Sequence, residues 1–346
     1  MIARHARDIA KKWVTEEGSR VPGFCGAFFH GSINWLPDEA ALPTASDIDV
    51  MIVLDRSSPP EKPGKFLYQG LIIEATYLPA EHVHSAEQVL GLSHLAGSLR
   101  GNSLIADPTG RLSRIQSEVS SGYTKRAWVI RRCEHARQKV LQNLQGLGEA
   151  VLFHDQVIAW LFGVGVTTHI LLVAGLKNPT VRKRYLAVRD LLAEYRQIEF
   201  YETLLEMLGS ARMSQAQVKH HLAGLEAVFD AAQGVIHTPF PFAADISKLA
   251  RPVAIDGSRQ LIERGDHREA VFWMAVTYSR CQKVLFQDGP AGSIELFDPG
   301  YRAMLADLGI HSSADLQQRC RQVQDMLPSI WQVANLIIDA NPDITI

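Results

Sequence analysis

Apolar residues recur at three- and four-residue intervals at the start of the chain. Ile2, Ala6, Ile9, Ala10 and Trp13 alternate with Arg4, Arg7, Asp8, Lys11 and Lys12. This spacing predicts an amphipathic helix over 1–14. The pattern then shortens. The run GFCGAFFHGS (23–32) is a short apolar segment ending in Gly31-Ser32. A loop with Pro37 and Pro43 leads to DIDVMIVLD (47–55), and GLIIEATYLP (70–79) is rich in Ile and Thr and stopped by Pro79. Both read as strands. Pro59, Pro60, Pro63 and Gly64 punctuate the stretch between them. Residues 80–97 read as helical, and NSLIADPTG (102–110) as a last short strand.

From about Arg114 the period lengthens to that of helices. They are expected over 114–146, 153–176, 179–208, 214–235, 257–286 with a break near Gly265, 299–309 and 313–339, with an irregular stretch over 238–252. Leu, Ala, Gln, Arg and Glu dominate this part, which suits helix packing. The expected fold class is α+β: a small mixed-sheet domain over 1–113, followed by an all-helical domain over 114–346.

One segment stands apart. Val157 to Leu176 contains no Asp, Glu, Lys or Arg, and twenty such residues are long enough to cross a bilayer. Thr167, Thr168 and His169 sit in its middle, Gly163, Gly165 and Gly175 weaken it, and it has no companion. A buried central helix is the expectation, and a membrane is not an expected partner.

Composition adds exclusions. The 346 residues suit two domains. Lys plus Arg is 35 and Asp plus Glu is 37, a net charge of −2. That lacks the basic excess of proteins that grip phosphate backbones, so nucleic acid is not an expected partner. Cys25, Cys133, Cys281 and Cys320 lie far apart with no CxxC pair, which excludes a zinc ribbon and reads as four reduced thiols in a cytoplasmic protein. No apolar core follows the N-terminal charges, so 1–14 is not a signal peptide. His82, His84 and His94, and the pair His220-His221, have no ligand spacing and are assigned no metal.

The chemistry concentrates in 30–77. Residues two apart on a strand share a face, so Asp47 and Asp49 project side by side at a strand end. Two carboxylates that close repel unless a cation lies between them. Oxygen-only donors of this kind suit Mg²⁺. Glu74 stands among Leu71, Ile72, Ile73, Ala75 and Thr76. It either faces the same metal, where it is also a candidate base, or lies on a solvated face. Gly31 lets the backbone approach a ligand closely, and the Ser32 hydroxyl can then meet phosphate oxygens.

Gly31-Ser32, a fourteen-residue spacer ending in Ser46, then Asp47-Ile48-Asp49, resembles the signature of the nucleotidyltransferase superfamily with a DNA polymerase β-like fold. The third acid in a short apolar strand, Ile73-Glu74-Ala75, and the helical second part make the layout most similar to the antibiotic nucleotidyltransferases, such as kanamycin nucleotidyltransferase. The resemblance covers about the first third of the chain. It implies transfer of a nucleoside monophosphate, with AMP from ATP the leading case, to a hydroxyl of a small-molecule acceptor, an antibiotic among the candidates. Asp47, Asp49 and Glu74 would hold two Mg²⁺, and Gly31, Ser32 and Ser46 would bind the nucleotide. It also implies a helix glutamate as base and a nucleotide-binding lysine four residues on. Glu134 matches the first, while position 138 is Gln and the lysine is Lys139. A homodimer is allowed, because relatives complete their site across one. The alternatives are a protein-modifying nucleotidyltransferase and a nucleotide-binding regulator of toxin–antitoxin type.

Two further features are charged. Asn178 and Pro179 suit the start of a helix, and Lys177, Arg182 and Lys183 either meet the triphosphate there or form a solvated basic face. Asp38 and Glu39 in the spacer are acids that could attract a polycationic acceptor.

Overall fold

The apolar spacing at the start of the chain does build a helix. In the computed structural model, α1 (Ala3–Glu16) buries Ala3, Ala6, Ile9, Ala10, Trp13 and Val14 along one stripe. The structure describes residues 1–43 and 46–346. Its architecture is α+β, with a five-stranded sheet in the N-terminal part and helices after it.

The strands are β1 (Phe24–His30), β2 (Ile48–Leu54), β3 (Gly64–Tyr68), β4 (Leu71–Pro79) and β5 (Leu104–Ala106), in the order β3-β4-β2-β1-β5. β1 and β2 are antiparallel, β2 and β4 parallel, and β3 and β4 antiparallel. Strand alternation sorts the side chains. Ala27, Phe29, Ile48, Val50, Ile52, Ile73 and Ala75 face α1 in one core. Phe28 and Val53 face the other way. They pack with residues of α2 (Ala86–Gly91), α3 (Ala96–Leu99) and α4 (Arg111–Gly122).

The structure adds β3, which the prolines before it concealed. Tyr68 and Leu71 are joined by Gln69-Gly70, both at positive φ (48° and 78°), the two-residue geometry that matches strand twist. The helix expected over 80–97 is broken into a short turn, α2 and α3.

Contacts divide the chain into two compact units. The first comprises 1–135, 176–180 and 341–346, and the second 136–175 and 181–340. The change of pattern near 114 thus precedes the boundary. Leu112, Ile115 and Val119 of α4 belong to the sheet's second core. α5 (Arg126–Glu149) begins in the first unit, and Tyr123–Lys125 interrupts what the sequence presents as one helix over 114–146.

Among the described residues, the regular elements of the second unit are all helical. Its elements are α6 (Phe153–Ala174), α7 (Arg184–Glu194), α8 (Glu199–Leu208), α9 (Gln215–Val235), α10 (Gly257–Glu263), α11 (His267–Asp288), α12 (Ser293–Asp307) and α13 (Ser313–Ala340). α6 is long and apolar enough to cross a membrane, yet most of it is buried against other helices of this unit, α11 and α13 among them. The break near Gly265 is present, at φ 94°. The single helix expected over 179–208 is not. Arg196 takes φ 57° and separates α7 from α8, with Gln197 N–H closing onto Leu192 O. Asn178 and Pro179 do not start α7 either; it begins at Arg184, after Lys183. α12 starts earlier than expected, with Pro299 inside it.

Candidate functional site

Register across the sheet assembles the site. β1 pairs His30 with Asp49 of β2, β2 pairs Asp49 with Glu74 of β4, and β4 pairs Glu74 with Lys65 of β3. Directly opposed residues share a face, so four strands contribute one polar row: His30, Asp49, Glu74, Lys65. Asp47, two residues before Asp49, joins it. Carboxylate oxygens of Asp47, Asp49 and Glu74 lie within 4.8 Å of one another, and all three residues are half-buried. The apolar partners on the opposite face, Ile48, Val50, Ile73 and Ala75, are buried at 1% exposure or less. Their packing sets the strand phase and so holds the acids on the polar face.

Gly31 follows directly. Its φ is 66°, and a Cβ there would overlap Asp49 Oδ2. Glycine is therefore required twice, by the backbone conformation and by the carboxylate against it. Ser32 lies beside it in a short 3₁₀ turn, Gly31–Trp35, and is exposed. The Ser46 hydroxyl donates to Asp47 O at 3.4 Å. His30 Nδ1 is 2.7 Å from the Ser98 hydroxyl, and burial pushes the imidazole down to about 4, so it is neutral at pH 7.

The charge at the row is partly balanced from within. Lys65 Nζ is 2.7 Å from Asp47 Oδ2 and also bonded to Glu74 Oε2, and Lys62 Nζ is 3.5 Å from Glu74 Oε1. Neither lysine stands out in the sequence. The signal was the Tyr-Gln-Gly-Leu junction, two β-prone runs separated by two residues. Once that hairpin is recognised, Lys65 falls opposite Glu74.

No protein-family model matches this chain, and no curated protein matches it. The site therefore stands on its own chemistry. Three carboxylates with converging oxygens fit a hard divalent cation such as Mg²⁺, which takes oxygen ligands.

The remaining expected residues are spread over both units. Glu134, half-buried on α5, belongs to the first unit, and so does Lys177. Lys139, exposed on α5, and Arg182 and Lys183 belong to the second. There, Arg182 lies so close to Gly257 that a Cβ would overlap its guanidinium. Burial, then Arg182 and Arg264, lower the Lys183 ammonium. The rest of that basic stretch is structural: Arg184 is buried over the Phe272 ring, and Arg189 pairs with Asp266 and Glu269 at 2.8 and 2.9 Å. Asp38 and Glu39 are paired as well, with Arg7 and Arg4 at 2.5 and 3.2 Å, so the spacer presents less bare acid than its sequence suggests.

A cleft of about 540 Å³ opens elsewhere in the first unit, between α1, α3 and β5. Arg7, Lys11, Asn34, Arg100 and Asn102 are among its lining, and it shares no lining residue with the acid group.

Proposed function

We propose that the chain is a nucleotidyltransferase that moves a nucleoside monophosphate, AMP from ATP in the leading case, onto a hydroxyl of a small-molecule acceptor. The observation that supports this is the convergence of Asp47, Asp49 and Glu74 on adjoining parallel strands, with the Gly31-Ser32 turn against Asp49. Asp47, Asp49 and Glu74 would hold Mg²⁺. When bound, the ion lowers the pKa of the attacking hydroxyl and offsets charge on the triphosphate and departing pyrophosphate.

The chain's own part is placement. Gly31 lets the chain turn tightly against Asp49, and the exposed Ser32 hydroxyl beside it can donate to a terminal phosphate oxygen. The acceptor oxygen forms a bond to the α-phosphorus in line, the bond to the bridging oxygen of pyrophosphate breaks, and the leaving group keeps that electron pair. The hydroxyl proton passes to a carboxylate, and Glu74 and Glu134 are the two acids that answer to that role.

The test is mass spectrometry of a reaction containing Mg²⁺, the four nucleoside triphosphates and a panel of hydroxylated small molecules. An acceptor gaining one nucleotide with release of pyrophosphate is the expected result, with loss of both in the Asp47→Ala/Asp49→Ala protein. Comparing Glu74→Gln with Glu134→Gln identifies the base. Full transfer by the double variant would sink the metal assignment. Nucleotide binding without pyrophosphate release would replace the enzyme with a regulator, and label on a protein band would replace the small acceptor with a protein.

A further inference from the structure

The Lys65 side chain is 5% exposed, although it ends in an ammonium. A cation buried to that degree needs anionic oxygen, and Lys65 finds it on Asp47 and Glu74, two of the three carboxylates that would grip a divalent ion. Lys62, at 34% exposure and on Glu74 alone, is the outer and weaker counter-charge. The ammonium thus stands between the same two acids that an ion would draw together. Mg²⁺ holds its oxygens at about 2.0–2.1 Å, closer than an ammonium does, and two cations sharing these oxygens would repel across a short gap.

We propose that Lys65 is the resident counter-cation of this acid group, and that a divalent ion binds by displacing its ammonium from Asp47 and Glu74. The inference rests on the metal reading above and says how that metal enters. β3 makes the displacement local. It is an edge strand, bonded to β4, and the four-carbon stem of lysine lets the ammonium swing away with the backbone in place. Once released, the ammonium is available to an anionic oxygen of the polyphosphate that accompanies the ion.

Two measurements on the full chain test this. A brief acetic anhydride pulse, mapped by peptide mass spectrometry, reports access to Lys65 with and without Mg²⁺; exposed Lys219 of the second unit is the reference. Lys65 acetylation is expected to rise several-fold with Mg²⁺ while Lys219 stays constant, and Asp49→Asn is expected to abolish the rise. Calorimetry with Mg²⁺ or Mn²⁺ is then run on wild type and Lys65→Met, for which roughly tenfold tighter binding is expected. Binding by the variant alone overturns the displacement, because the ammonium then excludes the ion rather than yielding to it. Wild-type binding with unchanged Lys65 labelling overturns it, since the ion then sits beside the ammonium, and so does a variant that binds no more tightly. If neither protein binds a divalent ion, the metal reading itself fails and the displacement falls with it.

Discussion

Gly31 carries two constraints that substitution can separate. Gly70 also has positive φ (78°), but a Cβ there meets nothing within 4 Å, whereas at Gly31 it overlaps Asp49. Gly70→Ala is expected to cost about 1 kcal/mol for the backbone alone. Gly31→Ala should cost that plus roughly 1–2 kcal/mol more for moving the carboxylate, and should weaken Mg²⁺ binding as well. Denaturant unfolding of both variants checks the difference; equal costs would mean that Asp49 turns aside freely. At this scale much of the site was legible. The two-residue spacing of Asp47 and Asp49 and the isolation of Glu74 among apolar neighbours announced three carboxylates. Lys65 was hidden, because a lysine after Pro63-Gly64 carries no pattern until its strand partner is known.

Among the elements, the longest periodic segments were readable and their interruptions were not. α6 was recognisable as a buried helix from its uncharged length and internal polar residues. The break between α7 and α8 falls at Arg196, a non-glycine residue in the left-handed region, which nothing in the local pattern announces. α6 also explains its own Gly165. A Cβ there would lie 2.5 Å from Phe272 Cε2 and 2.6 Å from Arg184 Nη1, so the missing side chain makes room for a buried guanidinium. Arg184 donates to Val181 O at 2.8 Å and sits 4.2 Å from the Phe272 ring centre. Its Nη1 has no hydrogen-bond partner among the described residues, and burial pushes the group down to about 9. Charge buried on such terms is expensive. Arg184→Met is therefore expected to raise unfolding stability by about 1–3 kcal/mol, measured by denaturant titration. A loss of that size would show that the Val181 bond and the ring contact outweigh the lost hydration.

For the whole molecule, α+β class was readable from the switch between short apolar runs and long helical periods. The boundary between units was harder, because α4 is helical in pattern but belongs to the sheet's core, a matter of tertiary contact. The assignment of units makes a prediction about metal. An ion held by Asp47, Asp49 and Glu74 stabilises the fold that holds it. Saturating Mg²⁺ should slow hydrogen exchange at amides of β2 and β4, and leave α9 and α11 of the second unit unchanged. Equal slowing in both units would place the ion's main contacts elsewhere.

The position of Lys65 on an outer strand has one more consequence, for self-association. β3 ends the sheet and is an apolar stretch, Phe66-Leu67-Tyr68, with Leu67 60% exposed. Such an edge is a template on which another chain's strand can dock. An inward-pointing charge on an edge strand is one of the devices that discourage such docking. The lysine held on Asp47 and Glu74 is thus also a guard of the sheet edge, and Lys65→Met is expected to self-associate more readily than wild type in light scattering.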